Sequence, residues 1–327
     1  LIRYPHGCIE QTTSGAFPQL YLSEIATLTD AQRLKAKTNV EAAINRLYSF
    51  RTSEGGLAYW PGNTRPSVWG SNYALHFLIL AKQNGYYVQE NFLNEAIKYL
   101  QREARNFSKT KNYEQVEQAY RLYVLALAGK ADYSAMNRLA SIGNLSSVAR
   151  YRLASAYALL NKSDMALKLI DGVNYTAQYD DEYRWYTYGS ELRDKSMALE
   201  TLILLQRKEE AFSLLKDIAD EFASDRWLST QTTAFGLYAY AKYAKNYVKT
   251  NNTKVRYVFD GGTTKELFGE KSVLKKSLDP SKKANHNFKF TNTGGQVVYV
   301  KVYAEGVPLE PDVEVFADKI DLKVWYT

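Results

Sequence analysis

The amino-acid sequence predicts a mainly α protein: an α/α toroid of about six helical hairpins, followed by a small antiparallel β unit. Three observations lead there. From about Gln11 to Tyr247, apolar residues recur at spacings of three and four, the period of a helix. The helical segments come in pairs joined by short turns, such as Lys82-Gln83-Asn84-Gly85 and Leu160-Asn161-Lys162-Ser163. After Asn251 the pattern changes to clustered and alternating β-branched and aromatic residues.

The spacing predicts helices near 9–27, 30–51, 71–84, 89–106, 112–128, 131–141, 146–160, 163–171, 189–206, 208–222 and 229–247. Thr29 or Asp30, Ser71 and Ser163 are the expected caps of the second, third and eighth, each offering an oxygen to unpaired backbone N–H groups. Paired helices must bury their apolar faces on neighbouring pairs. A closed ring fits better than an open solenoid because neither end carries an obvious polar cap, and no strict repeat length is present. Tyr73-Ala74-Leu75 and Thr233-Ala234-Phe235 are weakly similar in their surroundings. In the β unit, Val255–Phe259, Asn287–Thr291 and Val297–Tyr303 read as strands. Asp260-Gly261-Gly262 is a turn, and Asn292-Thr293-Gly294-Gly295 is expected to join the last two strands as a hairpin. Lysines 271, 275, 276, 282 and 283 are expected to face solvent, and Pro308 and Pro311 to close the unit.

Bulk properties narrow the function. The chain has 327 residues, 46% apolar and 24% charged, an ordinary globular profile, and no uninterrupted apolar run is long enough for a membrane span. The net charge of +7 is dispersed among acidic residues, as in Gln206-Arg207-Lys208-Glu209-Glu210, which argues against a nucleic-acid partner. No signal peptide is visible at Leu1-Ile2-Arg3; the abrupt start reads as that of an excised fragment and cannot report targeting. No metal-ligand cluster, phosphate loop or Ser-His-Asp pattern stands out, so neither cofactor nor metal is expected.

Cys8 is the only cysteine, so it needs an explanation of its own: inert core residue, nucleophile or modified group. It lies in Tyr4-Pro5-His6-Gly7-Cys8-Ile9-Glu10-Gln11-Thr12-Thr13-Ser14. A cysteine and a glutamine at i and i+3 at the start of a helix reach each other within one turn. Attack of the Cys8 sulfur on the Gln11 side-chain carbonyl, with loss of ammonia, would close a thioester. Gly7 allows an unusual backbone conformation beside the cysteine, and Pro5 fixes the approach of the chain. Glu10 could shuttle protons, although an ordinary carboxylate, with a pKa near ~4, is too weak a base to ionise an alcohol.

The string Gly7-Cys8-Ile9-Glu10-Gln11, preceded by Pro5, resembles the thioester motif of the alpha-2-macroglobulin and complement family. Thr12-Thr13-Ser14, Phe17-Pro18 and Tyr4 are similar to its bacterial branch. So are Glu54-Gly55-Gly56, Tyr59-Trp60-Pro61-Gly62 and Trp69, then Tyr188-Gly189-Ser190-Glu191-Leu192-Arg193-Asp194 and Trp227-Leu228-Ser229-Thr230-Gln231-Thr232. The resemblance implies a thioester domain over 1–250, returning strands of a CUB-like domain over 251–309, and the start of a macroglobulin-type domain over 310–327. It implies a single-use covalent protease inhibitor rather than an enzyme. Cutting of a bait region elsewhere in the parent chain would expose the Cys8–Gln11 bond, which would acylate a lysine of the attacking protease. Its partners would be target proteases and the parent's other macroglobulin domains. Its location would be periplasmic or secreted, with any membrane attachment through a lipid anchor outside this stretch.

Tyr4, Pro5, His6 and Gly7 are the expected shielding and positioning residues, with His6 standing where the family usually has tyrosine. Members that favour hydroxyl targets use a histidine on a separate loop, and none of His6, His76 and His286 matches it; His76 reads as a core residue. Tyr183, Trp185, Tyr186 and Tyr188 could line a surface near the thioester, or could form a loop packed on the ring. Two other readings stand beside this one. One is a toroid enzyme of cyclase or glycoside-hydrolase type, to which Asp180-Asp181-Glu182 would lend acidic groups. The other is a binding scaffold that leaves its thioester motif unused.

Overall fold

The computed structural model describes residues 2–109, 111–173, 181–224, 226–247, 253–269, 274–278, 285–294, 298 and 300–303. The helices are α1 Ile9–Ala16, α2 Leu22–Ile25, α3 Asp30–Tyr48, α4 Val68–Gln83, α5 Glu90–Arg105, α6 Asn112–Leu127 and α7 Tyr133–Ala140. They continue with α8 Ser147–Leu159, α9 Ser163–Ile170, α10 Asp181–Thr187, α11 Glu191–Leu204, α12 Lys208–Ala223 and α13 Thr230–Tyr247. From α3 onward the chain alternates between an outer and an inner layer, except that α9 and α10 both fall between the inner helices α8 and α11. The inner helices α1, α4, α6, α8, α11 and α13 pack on one another in that order, and α13 packs back on α1, closing an α/α toroid. Outer helices such as α5 bury one stripe (Phe92, Leu93, Ala96, Ile97, Leu100), whereas α4 is buried continuously from Trp69 to Ala81.

The centre of the ring is filled with side chains. A 3₁₀ turn, Phe17–Leu20, follows α1. It places the Phe17 ring 4.9 Å from His76, 5.2 Å from Tyr238 and 5.7 Å from Tyr73. Tyr73 of α4 stacks on Phe235 of α13 at 5.3 Å, so the two weakly similar segments flank α1 and meet across it. Deeper in, Arg152 of α8 pairs with Glu200 of α11 at 2.7 Å, and the Tyr123 and Tyr238 hydroxyls both donate to Glu200. Burial pushes the Glu200 carboxyl up, but Arg152 and these donors outweigh it and bring it to about 2.

Several sequence expectations shift by a residue or an element. The segment expected as one helix over 9–27 is α1, the 3₁₀ turn and α2, because Pro18 has no N–H for a continuing helix. Thr29 does cap α3, accepting from the Gln32 N–H at 3.2 Å. Ser71 does not cap α4: that role belongs to Ser67, which accepts from Gly70 N–H, while the Ser71 hydroxyl bonds the Leu57 backbone. Ser163 is the first helical residue of α9 and makes no cap bond. Helix α10 was not expected.

The β unit is a three-stranded antiparallel sheet, β1 Thr253–Phe259, β2 Lys265–Gly269 and β3 Phe288–Asn292, in the order β2-β1-β3. Asp260 and Gly261, both at positive φ, turn β1 into β2. The expected hairpin onward from β3 is not seen among the described residues: β3 pairs with β1, and residues 298 and 300–303 lie outside any strand. Lysines 271, 282 and 283, Pro308, Pro311 and the whole of 310–327 fall outside the described residues.

Candidate thioester site

Helix α1 presents Cys8 at its N-cap and Gln11 one turn on. The Cys8 thiol is buried, at 3% exposure, while Gln11 stands at the surface. The Gln11 side chain folds back toward the cysteine, its Oε1 accepting the Cys8 N–H at 3.2 Å. Gly7 adopts φ +88°, and a Cβ built there would lie 2.1 Å from Gln11 Oε1. No residue but glycine leaves room for that fold-back.

The approach to Cys8 is clamped from outside the motif. Arg46 of α3 donates to the Gly7 carbonyl at 2.9 Å and to the Thr12 hydroxyl at 3.2 Å. The Gln19 amide donates to the Arg3 carbonyl at 2.9 Å, and Pro5 is buried beneath. Ile9 N–H donates to the Tyr59 carbonyl at 3.1 Å, which pins the Tyr59-Trp60 loop over the start of α1.

Aromatic residues from outside the motif also reach the sulfur. Tyr4 is 64% exposed and His6 is exposed. The Tyr59 hydroxyl hydrogen-bonds the Cys8 sulfur and is itself bonded by the Tyr188 hydroxyl. The bond to Cys8 raises the Tyr59 pKa, and burial raises that of Tyr188. Tyr188 sits at φ +53°, a left-handed conformation uncommon for a tyrosine, at the junction of α10 and α11. Of the neighbouring aromatics, Tyr183 is core and donates to Asp194 at 2.7 Å, Tyr186 stacks on Tyr113, and Trp185 is exposed.

Glu10 is 6% exposed. Its Oε1 accepts from the Ser14 hydroxyl at 2.7 Å and from the Thr230 hydroxyl at 3.0 Å, the latter across the closure of the ring. Ser14 in turn meets the Tyr73 hydroxyl at 3.0 Å. Burial raises the Glu10 pKa against the pull of the two hydroxyls. Glu10 and Gln11 line a cavity of about 540 Å³ whose walls are Tyr188–Leu192 and Arg226–Thr232.

The histidines lie elsewhere. His76 is fully buried in the ring, Nδ1 3.0 Å from the Tyr120 hydroxyl and Nε2 3.4 Å from that of Tyr123, and burial lowers its pKa well below the usual range. His286 pairs with Asp260 at 2.7 Å in the β unit. Among the described residues, no three His, Cys, Asp or Glu side chains group as a metal site requires.

A closed toroid with a cysteine and a folded-back glutamine at the head of its first inner helix is the architecture of a thioester domain. Known proteins agree. Residues 1–120 match the family described as A-macroglobulin TED domain. The chain is 27% identical to the alpha-2-macroglobulin of Escherichia coli K12 over 93% of its own length and 19% of the relative's. The Thermotoga maritima alpha-2-macroglobulin is 26% identical over 94% of this chain and 18% of its own. The native E. coli alpha-2-macroglobulin superimposes with a TM-score of 0.67 at 25% identity, over 88% of this chain and 18% of that one. A mutant Salmonella alpha-2-macroglobulin gives a TM-score of 0.71 at 27% identity, over 90% and 20%. The chain is similar to the thioester-domain region of the bacterial alpha-2-macroglobulins. It spans about a fifth of the length of those relatives.

Proposed function

We propose that Cys8 and Gln11 are joined by an internal thioester and that the domain acts as the single-use acylating arm of a protease-trapping protein. The observation that carries this reading is the return of the Gln11 side chain over Gly7 to the Cys8 backbone, with the thiol buried beside it. Closing the bond takes no change of fold, only attack of sulfur on the amide carbon and loss of ammonia.

In the parent protein, other macroglobulin domains would cover the face that carries Tyr4, His6 and Trp60, and cleavage of a bait segment would uncover it. The thioester then acylates a lysine of the attacking protease, and each molecule acts once. The relatives support this reading: one solved structure is of trypsin-activated E. coli alpha-2-macroglobulin, and another is of the Salmonella protein reacted with methylamine. A periplasmic or secreted location, with any lipid anchor outside this stretch, belongs to the same proposal.

A toroid enzyme would need an open centre, and here Phe17, Tyr73, His76, Phe235 and Tyr238 fill it. The test is intact mass of the parent protein before and after methylamine. A mass short of the sequence by one ammonia, gaining one methylamine as one thiol appears, is the expected result. An unshifted mass with a free thiol from the outset would leave only the scaffold reading.

A further inference from the structure

We propose that the groove beside Gln11 is the subsite through which the acceptor amine reaches the thioester, and that Glu10 takes the proton this amine must lose. The proposal rests on the reading that the Cys8–Gln11 bond forms. Three helix N-termini meet at this groove: α1 through Glu10 and Gln11, α11 through Ser190 and α13 through Ser229 and Thr230. Ser190 and Ser229 each cap their helix and each bond the Thr232 hydroxyl, at 2.7 and 2.8 Å, so the floor is rigid. A volume of about 540 Å³ takes a lysine side chain with room for part of its backbone. On the walls Glu191 pairs with Lys195 at 2.8 Å and Glu221 with Arg226 at 3.0 Å. These paired charges do not compete for an incoming ammonium, which suits a reaction that needs the neutral amine.

Glu10 is built as a fixed base. The Ser14 and Thr230 hydroxyls both donate to Oε1, which fills that oxygen's lone pairs and leaves Oε2 to accept a further proton. Its burial brings its proton affinity nearer to neutral, where general bases act best. The other titratable groups facing it are Tyr59, Tyr73 and Tyr188, all held above their ordinary range, and Cys8, whose sulfur is committed to the thioester before attack.

In the step itself the amine nitrogen bonds to the carbonyl carbon derived from Gln11, and its excess proton passes to Glu10. The carbon–sulfur bond breaks with its electron pair going to Cys8. The departing sulfur, already bonded by the Tyr59 hydroxyl, receives the proton that Glu10 accepted. An amide and a thiol result, with no change of oxidation state. Thr230 is a positioning residue, since it acts only through Glu10.

The experiment measures thiol release from the parent protein by methylamine and by N-acetyl-lysine methylamide across a range of pH. It compares wild type with Glu10→Gln, Thr230→Val and Glu191→Trp. In Glu10→Gln the rate constant per neutral amine is expected to fall about 100-fold, and its residual dependence on pH to vanish. Thr230→Val, which removes one of the two hydroxyls holding the Glu10 carboxylate, should lose several-fold and shift that pH dependence, and it carries the test alone where Glu10→Gln fails to form the bond. Glu191→Trp, which narrows the groove at its rim, should slow the lysine amide more than methylamine. Wild-type rates per neutral amine in both Glu10→Gln and Thr230→Val, at every pH, would overturn the proposal and leave the thioester intact. A wild type that releases no thiol would overturn the thioester, and the subsite with it.

Discussion

Position 7 shows how far one missing methyl group can matter. At φ +88° an alanine is strained by about 1–3 kcal/mol, and its Cβ would also collide with the Gln11 carbonyl at 2.1 Å. Gly7→Ala therefore disfavours the one rotamer of Gln11 that reaches Cys8. The expected outcome is a folded domain, destabilised within that range by urea denaturation, whose intact mass shows no loss of ammonia. A mutant that still closed its thioester would mean that Gln11 reaches the sulfur by another path. Gly7, Cys8, Glu10 and Gln11 were legible in the sequence because they sit within five residues of each other, where helix geometry alone fixes their relation. Arg46, Tyr59 and Thr230 were not, and Tyr188 was only one of four aromatics that could line a surface near the thioester. They reach the site only through the folded ring, and a local spacing says nothing about them. The sole trace of Tyr59 and Thr230 was that they stand in stretches resembling the family.

At the scale of elements, the helices that the periodicity predicted are present from α3 through α9 and from α11 through α13, mostly to within a few residues at each end. Two failures have physical reasons. The break after Ala16 was written in Pro18, which removes a backbone donor, but the apolar run through it concealed the stop. Helix α10, Asp181–Thr187, carries three aromatics in seven residues without a clean apolar stripe, so it resembled a loop; the burial of Tyr183 against Asp194 and Arg193 holds it. The 3₁₀ turn after α1 gains its weight from Phe17, which is fully buried against rings from α4 and α13. Phe17→Ala would open a cavity where inner helices converge, and a loss of about 3–5 kcal/mol is expected. Urea denaturation checks it. A loss below 1 kcal/mol would show that the ring collapses around the gap and that Phe17 is filler rather than a keystone.

Across the whole molecule, ring closure and chemistry are linked, because the hydrogen bond from Thr230 to Glu10 joins the last inner helix to the first. The same closure decides which nucleophiles the site can use. A hydroxyl attacking a thioester near neutral pH needs a base strong enough to draw off its proton during attack, or a covalent relay. His76 cannot relay, since it lies inside the ring with both nitrogens against tyrosine hydroxyls, and His286 is held by Asp260 in the β unit. His6 is exposed in the motif itself rather than on a facing loop. Glu10, even with its proton affinity raised by burial, remains far weaker than an alkoxide and cannot ionise an alcohol. It can, however, accept a proton from an amine that has already bonded to the carbonyl carbon, because that nitrogen bears a positive charge and releases its proton readily. On the proposed reading, the expected consequence is a preference for amines. When a protease triggers the parent protein, most covalent adducts are expected to be lysine amides that survive hydroxylamine. Gel analysis of the trapped protease after hydroxylamine treatment decides the matter: adducts that mostly disappear would be esters, and His6, exposed and two residues before Cys8, would then be the group to replace first.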